Sequence, residues 1–190
     1  MVETSVQFDK SKFDKVIAKA AVFGQDINKA INRAAKRAAD SGKAETKRQL
    51  AAEYTLPSAD IAKTIEAKML GMGAEMSISS GVQDILAFKG VQPKSQMPPA
   101  TGRAIVEIKK NSSFTIERGF VGVLNKRQKR LGVYQRDEVR RNVYRRYHGP
   151  TTVGMFKANE KVHNAVLEKI LKTLDDRMVH ELGRLLGGSN

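Results

Sequence analysis

The stretch KSKFDKVIAKAAVFGQDINKAINRAAKRAADSGKAETKRQLAAE, residues 10–53, decides the fold class. It contains no proline, the residue that breaks a helix interior by removing a donor and crowding the preceding turn. Its apolar positions recur at helical steps: at about 100° per residue, Phe13, Ile17, Ala20, Gly24, Ile27, Ile31, Ala34, Ala35, Ala38 and Gly42 fall on one narrow face. Lys29, Arg33, Lys36, Lys43 and Lys47 fall opposite, interrupted mainly by Asp40. This pattern predicts a long amphipathic helix over about 10–53, or two helices in line, with a small-residue packing stripe and a basic outer face. Gly24 and Gly42 each cost about 1 kcal/mol of helix propensity relative to Ala, so a break at either is allowed. Unbroken, the helix would span about 65 Å at ~1.5 Å per residue. That is longer than a compact domain of this mass is wide, so a neighbouring subunit is expected to bury part of the stripe. Ile27, Ile31, Ala34, Ala35 and Ala38 are the candidate positions for helix packing or a subunit interface.

Downstream the pattern changes. Pro57 biases Leu56 away from helix, and Ser58 can cap a short helix over about 58–70 carrying Ile61, Ile65 and Met69, ended by Gly71-Met72-Gly73. Ala74, Met76 and Ile78 then alternate as in a strand, and Ile85-Leu86-Ala87-Phe88 reads as a second β-like run joined to the first near Ser79-Ser80-Gly81. Residues 90–102, with Pro93, Pro98 and Pro99, read as a loop. Ala104, Val106 and Ile108 open another strand that turns at Asn111-Ser112-Ser113 into a β-rich run from Phe114 to Leu124, followed by Leu131 to Tyr134. From about 152 to 186 the helical period returns through Phe156, Val162, Val166, Ile170, Leu174, Met178, Leu182 and Leu185, with Thr151 or Thr152 as its cap and Gly187-Gly188 as its stop. The expectation is a single α+β domain: a long N-terminal helix, a small central antiparallel sheet over about 74–136, and a long C-terminal helix. A chain of 190 residues is long enough for one ordinary core and too short for two full-sized ones.

Charge narrows the partners. Lys and Arg number 34 against 20 Asp and Glu, a net +14, which calls for something negative nearby: nucleic acid, an acidic protein surface or anionic lipid. Between residues 126 and 146, nine bases (Lys126, Arg127, Lys129, Arg130, Arg136, Arg140, Arg141, Arg145 and Arg146) face only Asp137 and Glu138, so half of the chain's excess sits in this segment. Arginine dominates it, and its planar fork suits phosphate or carboxylate. Tyr134, Tyr144 and Tyr147 are interleaved, and rings beside bases can stack on unpaired nucleobases. Lys126, Arg127, Lys129, Arg130, Arg140, Arg141, Arg145 and Arg146 are therefore candidate contacts to a partner or to DNA. The plainer reading makes residues 126–130 a solvated hairpin tip and pairs the later arginines with acidic neighbours. No helix-turn-helix, zinc-finger or RNP signature accompanies the bases, which argues against sequence-specific readout.

Chemistry has little to work with. There is no cysteine, so a disulfide framework, a thiolate zinc site and a thiol nucleophile are all excluded, and a reducing cytoplasm suits assembly. His148, His163 and His180 share no ligand spacing, and Glu160-x-x-His163 is only half of a di-iron motif. Gly42-Lys43 lacks the glycine pattern of a phosphate loop, Gly71-Met72-Gly73 lacks the third glycine of a dinucleotide fingerprint, and no Gly-x-Ser-x-Gly elbow occurs. The residues point to no enzyme, no cofactor and no metal. The start of the chain does not read as a secretory signal, and no run approaches the ~18 apolar residues of a membrane span.

The order of features resembles the minor tail protein Z family of tailed bacteriophages and prophages. The likeness covers roughly residues 25–183. It rests on Ile31-Asn32-Arg33-Ala34-Ala35, the β-run from Ala74 to Phe88, Arg118-Gly119-Phe120, Gly132-Val133-Tyr134-Gln135-Arg136, Tyr147-His148-Gly149-Pro150, and Met155-Phe156 before the closing helix. The resemblance implies a virion protein added late, at the head-proximal end of the tail, that completes the tail for head joining. It implies a ring-like homo-oligomer, with six-fold symmetry as the candidate, whose partners are other tail and neck proteins, with transient contact to genomic DNA and none to membrane. Acidic neck proteins are the preferred partners of the basic surface, because a strongly basic channel would grip DNA that has to slide.

Overall fold

The structure is a computed structural model describing residues 2–6, 25–71, 73–89, 91, 103–123, 131–140 and 143–186. Its elements run β1 (Val2–Val6), α1 (Gln25–Glu53), α2 (Ser58–Ala62), β2 (Ile65–Leu70), β3 (Gly73–Ser80), β4 (Gln83–Asp84), a 3-10 turn (Ile85–Ala87), β5 (Arg103–Lys109), β6 (Ser112–Glu117), β7 (Gly119–Gly122), β8 (Gly132–Arg136), β9 (Tyr144–Gly149), α3 (Thr152–Lys157) and α4 (Glu160–Leu186). The class is α+β, with β1 before the first long helix and the other antiparallel strands between the two long helices. Among the described residues the strands form three sheets, ordered β1-β3-β2, β4-β9-β8-β7 and β5-β6, where one central sheet was expected.

Helix α1 is continuous through Gly42, and α4 lies antiparallel against it. Ser41 Oγ meets Thr173 Oγ1 at 3.0 Å, and Arg33 Nη1 reaches Glu181 Oε2 at 3.4 Å. The closest approach is at Gly42, where an added Cβ would stand 2.5 Å from Ile170 Cδ1 and 3.1 Å from Met76 Sδ. Ile27, Ile31, Ala34 and Ala38 join Val162, Val166, Ile170, Leu174 and Met178 in one core with Leu50, Ile61, Ile65, Met76, Ile78 and Phe156, while Ala35 and Ala39 pack with Ala74 against the first sheet. The five stripe positions are thus buried within one chain, and the expected help from a neighbouring subunit is not needed to cover them. The second helix, α4, supplies the missing apolar partner. Phe13, Ile17, Ala20 and Gly24 lie outside the described residues.

Four local readings are corrected. The short helix ends at Ala62 rather than near 70, and Ile65–Leu70 is a strand paired along its length with Gly73–Ser80. Ile65 and Met69 are four apart, a spacing that satisfies strand alternation as well as a helical turn, and the tight turn through Gly71 at φ +56° closes the hairpin. Pro57, not Ser58, precedes the helix, without a side-chain cap. Ile85–Ala87 is a 3-10 turn capped by Asp84, whose carboxylate accepts the Leu86 N–H at 3.1 Å; β3 pairs instead with β1 and β2. The C-terminal helix is two: α3 stops at Ala158, and Asn159 Oδ1 starts α4 by accepting the Val162 N–H at 3.3 Å. Of the two candidate caps, Thr151 caps α3 through Gly154 N at 2.9 Å.

A second core lies beneath the β5–β6 hairpin and the β7–β8–β9 sheet, formed by Ile85, Val91, Ala104, Val106, Ile116, Val121 and Val133. The two halves are stitched by backbone hydrogen bonds. Thr55 N donates to Ile108 O and Lys110 N to Glu53 O, both at 2.9 Å. The buried Ser80 hydroxyl accepts the Thr152 N–H at 2.7 Å at the start of α3. Ser80→Ala would orphan that buried N–H and is expected to lower stability by about 1–3 kcal/mol. Urea denaturation checks this, and an unchanged midpoint would contradict it. The loop expected at 90–102 lies outside the described residues apart from Val91, as does the Gly187-Gly188 stop.

Candidate functional site

The candidate site is built on β7, β8 and β9. Directly opposed residues in an antiparallel pair share a face, and successive residues alternate. Phe120 pairs with Tyr134, Tyr134 with Arg146, and Arg136 with Tyr144. These five side chains therefore stand on one face. Val121 and Val133 stand on the other, in the second core, which turns the first face outward.

On that outward face the rings cluster. Phe120 lies 5.9 Å from Tyr134 and 5.8 Å, edge to face, from Tyr144. Glycines make the floor: a Cβ on Gly132 would stand 3.0 Å from the Tyr134 ring, and one on Gly122 3.3 Å from the Phe120 ring. Tyr134 is nearly buried, whereas Phe120 and Tyr144 are half-buried. The Arg136 guanidinium carbon sits 5.8 Å from the Tyr144 ring centroid, within reach of the negative ring face.

The structure divides the predicted basic cluster. Arg146 is on the outward face, where Nη2 donates to Asp84 Oδ2 at 3.0 Å. Arg145 is on the opposite face, over Tyr147 at 5.7 Å. Arg140 is exposed in the turn after β8; Lys126, Arg127, Lys129, Arg130 and Arg141 lie outside the described residues. Arg118 pairs with Glu138 at 3.6 Å. Pairing of Arg146 with Asp84 and of Arg118 with Glu138 lowers the net charge of this surface, while Arg136, Arg140 and Arg145 have no carboxylate partner among the described residues. Sequence reasoning missed Phe120 and Asp84. Phe120 could have been found from its place beside Arg118-Gly119; Asp84 is distant in sequence and carries no signal.

The hairpin end is held by Asp137, whose carboxylate accepts the N–H of Arg140 at 2.8 Å and of Val139 at 3.0 Å. These two bonds, led by that from Arg140, hold its pKa below the ordinary 3.8. A depressed carboxylate pKa stabilises the turn above the ordinary value and loses that effect as pH falls through the folded value. The Arg140 and Val139 amide NMR signals are expected to titrate together below that ordinary pH. A midpoint at or above it would contradict the arrangement.

Elsewhere the polar groups are dispersed. His148 is exposed on β9, His163 packs its ring 5.4 Å from Phe156, and His180 is exposed on α4. Among the described residues no group of three or more His, Asp or Glu gathers to hold a metal, and no helix is long and apolar enough to cross a membrane. In a groove between α1 and α4, lined by Glu45, Arg48, Gln49, Glu168, Lys169 and Lys172, Glu45 takes hydrogen bonds from Arg48 at 2.6 Å and Gln49 at 2.7 Å. The bond from Arg48 is the main cause of its lowered pKa.

In comparisons with known proteins, no family model matches this chain, and neither a curated protein nor a solved structure matches it.

Proposed function

We propose that this chain is a structural minor tail protein of a tailed bacteriophage, completing the head-proximal end of the tail and contributing to head–tail joining, without enzymatic activity or cofactor. The observation that carries the reading is the ordered run of features resembling the tail protein Z family. Support comes from what those motif residues do physically. Gly119 follows a β6–β7 turn so tight that a Cβ would stand 2.6 Å from Ile116 O; Gly132 underlies the Tyr134 ring; Gly149 abuts Phe88; and Phe156 is buried in the main core. A sequence sharing that pattern shares the constraints that produce this fold.

In this reading the protein assembles in the host cytoplasm into a ring-like homo-oligomer, six-fold in its simplest form. It meets other tail and neck proteins and resides in the virion. The alternative, a nonspecific DNA-binding protein using residues 126–146, draws less support. Arg145 and Arg146 lie on opposite faces of one strand and Arg146 is paired with Asp84, which splits the stripe that would track a duplex backbone. Size-exclusion chromatography with light scattering, on the chain alone and mixed with phage tail and neck proteins, tests the proposal. A multimer or a stable complex is expected; a strict monomer that binds none of them would contradict it.

A further inference from the structure

We infer that the outward face of β7–β8–β9 binds single-stranded nucleic acid, stacking unpaired bases on Phe120 and Tyr144 and holding the strand's phosphates through Arg136, with Arg140 at the hairpin end. This inference concerns an unpaired strand on one sheet face, not the duplex-tracking stripe weighed above, and is independent of the tail-assembly reading. Three of the chain's eleven Phe and Tyr residues converge on this face, over a floor kept flat by Gly122 and Gly132. Aromatic side chains buried inside a core would satisfy the same packing, but Phe120 and Tyr144 keep part of their surface in solvent, on the side of the sheet turned from the second core.

Charge selects the occupant. Arg136 and Arg140 are exposed and have no carboxylate partner among the described residues. Arg136, with its guanidinium carbon 5.8 Å from the Tyr144 centroid, stands beside the rings, where its N–H groups can meet the phosphates of a strand whose bases lie on them. In a duplex the faces of the bases are closed by their neighbours, so rings presented this way reach only an unpaired strand. The modest number of free guanidiniums makes the contact light, with a salt slope of about −0.7 per phosphate neutralised.

Fluorescence anisotropy of the full chain tests this with a labelled oligothymidylate of about 20 nucleotides, an abasic strand of equal length and charge, and a duplex of that length. The wild type is expected to bind the oligothymidylate about a hundredfold tighter than the abasic strand, since bases stacked on the two rings are the only difference. Phe120→Leu and Tyr144→Leu, which keep apolar volume and remove the ring, are expected to erase about tenfold of that preference each and to leave abasic binding unchanged. Arg136→Gln should weaken both strands and reduce the salt slope by about 0.7. Arg145→Gln, on the opposite face, should leave the preference for bases intact. Equal affinity for the thymidylate and abasic strands overturns the inference, as does tighter binding of the duplex or no binding of the thymidylate. Polyglutamate bound as tightly as the thymidylate, with the leucine variants indifferent, also overturns it and points to an acidic protein as the partner. The wild-type comparison of base and abasic strands holds even if a leucine variant fails to fold, and light scattering reads the assembly proposal separately.

Discussion

Gly149→Ala is expected to destabilise the protein by about 3 kcal/mol, the upper end of the usual cost of overpacking a core. Gly149 is buried on β9, and a Cβ there would overlap Cε2 of Phe88 and stand 3.1 Å from its Cδ2 and Cζ. Phe88 is 1% exposed and sits in the main core with Phe156 and Val153, so the ring has no open side to turn toward. Either the ring leaves its pocket, at a cost approaching the 3–5 kcal/mol of deleting a buried Phe, or β9 shifts and weakens its pairing with β4 and β8. A loss of this size is a large share of the ~5–15 kcal/mol that holds a domain together. Thermal or urea denaturation measures it. The mechanism is checked by combining Gly149→Ala with Phe88→Ala: the double variant should be less destabilised than the sum of the two single ones, because the methyl then enters space the ring has vacated. Strict additivity would show that the two positions do not share the contact described.

The second large effect is expected at the helix pair. Gly42→Leu should cost about 3 kcal/mol, because its side chain would have to enter the space between α1 and α4 already filled by Ile170 and Met76. Some of the loss is offset by the ~1 kcal/mol by which Leu outranks Gly in a helix interior. In an Ile170→Ala background the same substitution restores lost volume, so the combined variant should be more stable than the two single changes predict. A neutral Gly42→Leu in the wild-type background would mean that the helices are farther apart than the structure places them.

These two glycines show where the sequence was readable and where it was not. The α1 stripe was legible because each of its positions repeats at the helical period, and Ile27, Ile31, Ala34, Ala35 and Ala38 are all buried. What covers them was not legible, since the partner face on α4 is more than a hundred residues away and periodicity carries no information about pairing. The length argument assigned part of the stripe to a neighbouring subunit; over residues 27–38 the chain's own C-terminal helix and first sheet bury it, and the earlier positions lie outside the described residues. Strand β3 was legible from alternation at Ala74, Met76 and Ile78, whereas β2 was lost because Ile65 and Met69 fit both periods. The break between α3 and α4 was marked by Asn159, a good cap that periodicity alone passes over.

The site was half legible. Tyr134 and Tyr144 were named beside the arginines, but counting charges along the chain could not tell which arginines share a face. Register does that: Arg145 and Arg146 are consecutive, and a step of one residue is enough to send them to opposite sides of β9. The neutralising carboxylate of Asp84 comes from β4, brought alongside by a pairing that no local pattern encodes.

Cryo-electron microscopy of intact virions, at a resolution that distinguishes this fold, tests the assembly reading most directly. Density for two antiparallel helices over small antiparallel sheets, repeated around the axis where the tail meets the head, is the expected result. Particles complete and infectious without the protein, or density for it only at the far end of the tail, would contradict it.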